Sequence, residues 1–217
     1  MVFRGAGGAV SFSCSDFSSP PHIGTSNNFQ VLPGPYTGLQ VLLEGQSPRG
    51  GTQAGYEGLP DDQNAGSPFT VTVRAVDEFW NRVPGIDNSI SLLSSDAFAD
   101  MPDDTVLQNG ELAFPATLFR VGHQTITAAD IDSSSITSHT SSQVNILPGP
   151  YERIVIIAPG QTIAPGSEEG RTGEATDQSI NYAFTVSVYA TDAWFNPVGA
   201  VADVIHLTSN DLLAELP

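Results

Sequence analysis

Apolar and polar residues alternate along residues 69–76, where Phe69, Val71, Val73 and Ala75 occupy every second position. A period of two places one apolar face against a core and predicts a half-buried β-strand. No segment of the chain keeps the 3.6-residue period of an amphipathic helix. The sequence therefore predicts an all-β fold. Further strands are predicted at residues 36–44, 90–93, 112–119, 124–128 and 143–147.

Turn signals separate these runs. Asn109 and Gly110 stand between two strand-like runs and predict a β-hairpin. Residues 45–67 are rich in Gly, Pro, Asp and Gln without any periodicity, which predicts a long surface loop. Because loops of this length often carry function, residues 45–58 are where we expect ligand contacts.

The chain contains an internal repeat with a constant spacing of 115 residues. The sequence Val-Leu-Pro-Gly-Pro-Tyr returns as Ile-Leu-Pro-Gly-Pro-Tyr, and two longer blocks return at the same spacing. The matching pairs are 31–36 with 146–151, 69–83 with 184–198, and 90–96 with 205–211. Three blocks at one spacing, with no insertion between them, indicate a duplicated structural unit.

The repeat predicts how the chain is divided. Residues 8–16 match residues 122–130 at a spacing of 114, so residues 1–29 are predicted to be the last strand and linker of a preceding repeat. Residues 30–145 are predicted to form one complete repeat and residues 146–217 the first part of another. We expect the chain to be a segment of a longer array. The second unit of this segment lacks the strands equivalent to 112–128, so we expect it to expose a sheet edge.

Charge narrows the range of partners. The 217 residues include 24 Asp and Glu against 7 Arg and no Lys, a formal net charge of −17. Nucleic acids and anionic membrane surfaces both need a basic surface, so neither is expected as a partner. Because no run approaches about 18 apolar residues, direct membrane insertion is not expected either. Cys14 is the single cysteine, which excludes an internal disulfide, and we expect it to be a small core residue in a strand.

Short strands at regular spacing in a unit of about a hundred residues predict an antiparallel, immunoglobulin-like β-sandwich. Several blocks carry a more specific likeness, and they lie at 65–77, 81–83, 93–96, 99–102, 109–110 and 122–130, with 158–166 and 184–198 in the second unit. The first of them reads Ala-Gly-Ser-Pro-Phe-Thr-Val-Thr-Val-Arg-Ala-Val-Asp. These blocks resemble the bacterial immunoglobulin-like repeats of large secreted and cell-surface proteins, such as the invasin/intimin-like adhesin stalks. The resemblance implies tandem immunoglobulin-like sandwiches of about 115 residues each.

Acidic residues and asparagines recur at matching places in the two units. Calcium prefers several oxygen ligands, so these residues could form a structural Ca²⁺ site, the one cofactor that the sequence suggests. The alternative is that they cap strand ends by accepting hydrogen bonds from nearby backbone amides. The candidate metal ligands are Asp77, Asn81, Asp130, Asp132, Asp192 and Asn196.

In each unit an aromatic pair lies between the aspartate and the asparagine that follows it. The pairs are Phe79 with Trp80 and Trp194 with Phe195. If exposed, Trp80 and Trp194 would offer a surface to a sugar ring or a partner protein; if buried, they would close one end of the sandwich. The four histidines lack metal-ligand spacing, and no Gly-x-Ser-x-Gly nucleophile motif is present. We therefore expect no catalytic residues.

The resemblance implies a structural stalk or adhesion segment of a large, secreted or surface-attached bacterial protein. Neighbouring repeats of the same chain are the expected partners, together with a host or cell-surface protein or glycan. Two alternatives remain open: a module that binds carbohydrate or protein, and an accessory domain of an extracellular hydrolase. The expected location is extracellular, at the bacterial cell surface, with the export signal outside this segment.

Overall fold

The structure is a computed structural model and describes residues 2–216. The regular secondary structure of these residues consists of β-strands. Over those residues there is no helix, which confirms the all-β prediction. It follows that the same residues include no helix with the length and apolarity to cross a membrane. The chain divides into two compact units, Met1–Leu147 and Pro148–Pro217.

Unit 1 begins with a small nested ladder, in which β2 pairs with β3 and β1 pairs with β4. The strands are β1 (Ala9–Val10), β2 (Ser13–Ser15), β3 (Ile23–Thr25) and β4 (Phe29–Gln30). Phe3, Phe12 and Phe29 pack together with ring centroids 5.4–5.9 Å apart. Cys14 lies in β2 but is exposed, so its predicted place in the core is wrong. The reason is that none of these four strands contributes to the main core of the unit.

The rest of unit 1 is built from strands β5–β16, which form three larger sheets, antiparallel except for one parallel pairing, and one two-stranded ladder. Their bounds are β5 Gly38–Leu43, β6 Ser47–Pro48, β7 Tyr56–Glu57, β8 Gln63–Asn64, β9 Pro68–Val76, β10 Ser89–Ser94, β11 Asp104–Val106, β12 Glu111–Thr117, β13 Gly122–Gln124, β14 Ile126–Asp130, β15 His139–Thr140 and β16 Val144–Leu147. The sheet orders are β12-β9-β5, β11-β10-β14-β15 and β13-β16-β8, with β6 paired to β7.

Strand β9 occupies the centre of the first sheet, between β5 and β12. Its alternating residues Phe69, Val71, Val73 and Ala75 are at most 4% exposed, as the sequence predicts. They pack against side chains of the other sheets in one hydrophobic core, a sandwich-like arrangement. Core residues from those sheets include Ile90, Leu92, Ile126, Ala128, Val144 and Ile146.

The chain passes from one sheet to another at Thr125. Before it, β13 pairs with β16, and after it, β14 pairs with β10. The strand predicted at residues 124–128 is therefore two strands in two sheets, although Ile126 is buried as expected.

The turn at Asn109 and Gly110 has φ values of 53° and 79°, so both residues are left-handed, as a tight hairpin turn requires. Gln108 and Glu111 pair across it. The predicted hairpin stops at that pair, because β11 pairs with β10 whereas β12 pairs with β9. The turn prediction is right, and the prediction that the two flanking strands pair is wrong.

Residues 45–58, predicted to be a surface loop, fold back over the sheet. Strands β6 and β7 form a small ladder within them. Gly55 lies so close to Trp80 that a Cβ there would overlap the indole ring. The fully buried Gln40 of β5 donates through Nε2 to the Gly55 carbonyl at 2.9 Å. The loop thus covers the face of β5 that points away from the core.

Unit 2 contains two short ladders, β17 with β20 and β18 with β19. Its strands are β17 (Arg153–Ile157), β18 (Thr162–Ile163), β19 (Arg171–Thr172) and β20 (Ser187–Thr191). Val155 and Ile157 are buried, whereas Ile154 and Ile156 are about half exposed. Over the described residues of unit 2, β20 pairs with β17 alone, so its other edge carries no strand.

Candidate functional site

The loop after β9 is organised by the carboxylate of Asp77, which is 4% exposed. Oδ1 accepts hydrogen bonds from the backbone N–H groups of Phe79 and Asn81, both at 2.9 Å. Oδ2 accepts one from the N–H of Gly34 at 2.8 Å. The Asn81 side chain donates through Nδ2 to both oxygens, at 3.1 and 2.9 Å. The carboxylate therefore joins the proline-glycine linker to the turn.

Unit 2 repeats this arrangement 115 residues later. The Asp192 carboxylate, 1% exposed, accepts the N–H groups of Trp194 and Asn196 on Oδ1, both at 2.9 Å. Its Oδ2 accepts the N–H of Gly149 at 2.9 Å. Asn196 Nδ2 donates to both oxygens, at 3.2 and 2.9 Å. Equivalent residues therefore make the same hydrogen bonds in both units.

Two opposing effects act on the pKa of Asp77. Burial favours the neutral acid and raises the pKa. The hydrogen bonds from the Asn81 amide and from the backbone N–H groups of Gly34, Asn81 and Phe79 favour the charged form and outweigh burial, so the pKa lies below its ordinary value. The folded structure therefore stabilises the ionised carboxylate.

Asp130 and Asp132, at the end of β14, have different partners. Asp130 Oδ2 accepts the Tyr36 hydroxyl at 2.7 Å, and its Oδ1 accepts the N–H of Ser133 at 2.7 Å. Asp132 Oδ2 accepts the N–H of Ser89 at 2.8 Å. Burial, the hydrogen bond to Asp130 and the charges of both aspartates raise the pKa of Tyr36 far above its usual range. The tyrosine of the linker motif is thus fixed to β14 as a neutral hydrogen-bond donor.

The candidate calcium ligands fall into three groups, which are Asp77 with Asn81, Asp192 with Asn196, and Asp130 with Asp132. Over residues 2–216, no three His, Cys, Asp or Glu side chains come together as a possible metal site. A calcium ion would have to replace N–H or O–H donors that these carboxylates already accept. The geometry corresponds to the capping alternative, and calcium binding stays a prediction.

Trp80 lies half-buried beneath the loop that contains Gly55, with a left-handed φ of 67°. Its ring contacts His139 edge-on, at 5.4 Å between centroids. His139 Nδ1 accepts the N–H of Val41 at 3.0 Å, and burial lowers the pKa of His139, which favours the neutral ring that this hydrogen bond needs. Trp80 therefore packs against its own unit through most of its surface.

Trp194 differs from Trp80 in both position and exposure. In unit 2, the residue with the left-handed φ is Phe195, at 62°, and Gly170 lies against its ring as Gly55 lies against Trp80. Trp80 therefore corresponds to Phe195. Trp194, which corresponds to Phe79, is 38% exposed. Of the two candidate ligand-binding tryptophans, Trp194 presents more of its ring to solvent.

Sequence reasoning missed the glycines of the linker motif. Gly34 lies 43 residues before Asp77, and Gly149 lies 43 residues before Asp192; both donate to the aspartate. That constant spacing within the repeat is the sequence signal that could have identified the pairing. A second missed pair is Gln46 and Gln161, whose Oε1 atoms accept a backbone N–H three residues earlier, at 3.1 and 3.2 Å.

No protein-family model matches the sequence, and no curated protein matches it. The function is therefore inferred from the residues and their geometry.

Proposed function

We propose that the chain is a structural stalk or adhesion segment of a large bacterial protein, secreted or attached to the cell surface, that consists of immunoglobulin-like repeats. The observation that carries the proposal is the recurrence of one hydrogen-bonded frame at a spacing of 115 residues. Its members are Gly34–Asp77–Asn81 in unit 1 and Gly149–Asp192–Asn196 in unit 2. Repeated units of one design are typical of spacers and stalks.

The attachment of the linker to its own unit supports a load-bearing function. In unit 1, the motif at 31–36 is held at Gly34 by Asp77 and at Tyr36 by Asp130. Its prolines restrict φ and reduce the freedom of the free linker. A linker that is short, proline-containing and hydrogen-bonded limits bending where the chain enters the sandwich.

The hydrogen bonds that the acidic residues accept also support a structural function without catalysis. Asp77, Asp130 and Asp192 all direct their oxygens to donors of their own unit. A surface with a net charge of −17 and no lysine suits an extracellular medium, where salt screens charge repulsion within about 10 Å.

Single-molecule pulling on the whole chain tests the proposal. The sandwich of unit 1, from β5 to β16, should unfold in one cooperative rupture that lengthens the chain by about 35–40 nm, since roughly 110 residues at about 3.5 Å each are released. The rupture force should fall in Asp77→Asn, which weakens the link between linker and turn, and should be kept in the exposed neighbour Glu78→Gln. Gradual extension at low force, or equal forces in the two variants, would contradict a load-bearing unit.

The exposed indole of Trp194 favours a second candidate function, the binding of a glycan or a protein. A glycan array with the whole chain tests it. Binding that is lost in Trp194→Ala and kept in Trp194→Phe, the residue type at the corresponding position Phe79, would support this function in place of a pure spacer.

A further inference from the structure

The Asn81 side chain holds a stretch of main chain as well as the Asp77 turn. Its Oδ1 accepts the backbone N–H of Ala6 at 2.7 Å, and its Nδ2 donates to the backbone carbonyl of Arg4 at 2.7 Å. The second Nδ2 hydrogen is directed to the Asp77 carboxylate. One amide thus binds both polar groups on one side of a three-residue segment, while Asp77 fixes the amide's orientation.

The surface around Asn81 allows this segment to approach closely. A Cβ on Gly50 would lie 2.5 Å from Asn81 Oδ1, and a Cβ on Gly51 would lie 2.8 Å from the N and Cα atoms of Gly5. By contrast, a Cβ on Gly5 itself would have its nearest neighbour at 3.9 Å. The receiving side therefore requires glycine, whereas the bound segment tolerates a side chain at its centre.

Contacts on either side of the segment extend the docking. The Arg4 guanidinium lies over the Phe79 ring, 5.6 Å from its centroid. The N–H of Gly7 donates to the Val31 carbonyl at 2.9 Å. Phe79 is itself tied to the loop, because its carbonyl accepts the N–H of Gly51 at 2.7 Å. The segment is held by its main chain, with one cation–π contact at its first residue.

We propose that Asn81, together with Gly50, Gly51 and Phe79, forms a binding site for the main chain of an extended peptide, which residues 4–6 of this chain occupy. Because the hydrogen bonds of Asn81 to this segment are made to its backbone atoms, the site accepts many sequences, with a preference for a cation where Arg4 stands. It fastens the N-terminal segment of unit 1 to the same residue that closes the Asp77 turn. The N-terminal segment is therefore fixed to the sandwich of unit 1 at this point, an inference that goes beyond the stalk assignment and does not depend on it.

Amide hydrogen exchange on the whole chain, read by NMR at Gly7, tests the site. Ala6→Pro removes the N–H that Asn81 Oδ1 accepts and leaves the Asn81–Asp77 bonds in place. We expect Gly7 to exchange about five- to tenfold faster, the effect of one hydrogen bond. Asn81→Ala, which removes both bonds, should have a larger effect. Unchanged exchange of the β9 amides shows that the sandwich stays folded.

Gly50→Ala and Gly5→Ala form a matched pair. Neither glycine has a left-handed φ, so the two changes differ in the space available for the new Cβ. Gly50→Ala should accelerate exchange at Gly7 as Ala6→Pro does, and Gly5→Ala should leave it unchanged. Equal exchange in the two alanine variants, or no effect of Ala6→Pro with β9 intact, would overturn the proposal.

Discussion

At the scale of the residue, the position of Asp77 requires a short side chain with two hydrogen-bond acceptors, which other side chains do not provide. Its two oxygens accept main-chain donors from Gly34, Phe79 and Asn81, which lie on both sides of it in the sequence. Asparagine would offer one oxygen in place of two, and glutamate would extend the carboxylate by one carbon. A buried acceptor of N–H groups that cannot reach water is expensive to remove.

Asp77→Asn should lower the free energy of unfolding of unit 1 by about 2–4 kcal/mol, because charge-assisted hydrogen bonds are lost and donors are left buried without partners. Urea unfolding followed by Trp80 fluorescence measures this in a Trp194→Phe background. Glu78→Gln, an exposed change of the same kind, is the control. An effect of Asp77→Asn no larger than that of the control would contradict the role of this carboxylate.

The same carboxylate predicts a pH dependence. The pKa of Asp77 is lower in the folded chain than its ordinary value of 3.8, so the unfolded chain binds a proton more readily. Its contribution to stability is therefore complete above the ordinary value and is lost as the pH falls through the lowered one. Urea unfolding between pH 2 and 6, in the parent and in Asp77→Asn, should show the difference between the two chains shrinking towards low pH. A constant difference would contradict this.

At the scale of the element, the sequence predicts the buried strands well and the weakly buried ones poorly. The alternation at 69–76 identifies β9 because the strand is hydrogen-bonded on both edges and one of its faces packs on the core, so the local pattern and the tertiary contacts favour the same strand. Cys14 fails because a local pattern does not tell whether a second layer covers the strand. The hairpin at Asn109 fails because turn chemistry fixes the reversal of the chain, whereas the partner of each strand is decided by distant residues.

In the candidate site, too, the sequence predicts some features and not others. The recurrence of Asp77 and Asn81 as Asp192 and Asn196 marks the positions in advance. Whether such a carboxylate faces amides or a cation depends on where Gly34 lies, 43 residues earlier, and that placement is a property of the fold. Sequence reasoning therefore finds the residues and leaves their partners open.

The loop at 45–58 gives a prediction at this scale. Gly55 and Gly85 share a φ of 77°, but a Cβ on Gly55 would overlap Trp80, whereas no atom of the described residues lies within 4 Å of a Cβ on Gly85. Gly85→Ala should cost about 1–2 kcal/mol for the left-handed backbone. Gly55→Ala should cost about 1–3 kcal/mol more, because the loop must move off the indole. Thermal unfolding of both variants measures this, and equal losses would mean that the loop does not pack on Trp80.

At the scale of the whole molecule, burial is distributed unevenly. Unit 1 buries aliphatic and aromatic side chains from its larger sheets in one core, and β9 is paired on both edges. Over the described residues of unit 2, Val155 and Ile157 are the buried hydrophobic residues, while Phe184 and Ile205 are more than half exposed. Because burial of apolar area is the main stabilising term, the two units should differ strongly in stability.

Hydrogen exchange on the whole chain should show this difference directly in equivalent strands. The amides of β20 correspond to those of β9 at a spacing of 115 residues, but β17 is the one strand that pairs with β20 within residues 148–216, the described part of unit 2. A strand with one partner and half-exposed neighbours opens locally, so its amides should exchange at least about a hundredfold faster than those of β9. Asp192→Asn should increase exchange in β20 and leave β9 unchanged, and Asp77→Asn should affect β9. Equal protection of the two strands would contradict the low apolar burial of unit 2 and mean that Phe184 and Ile205 are buried in solution.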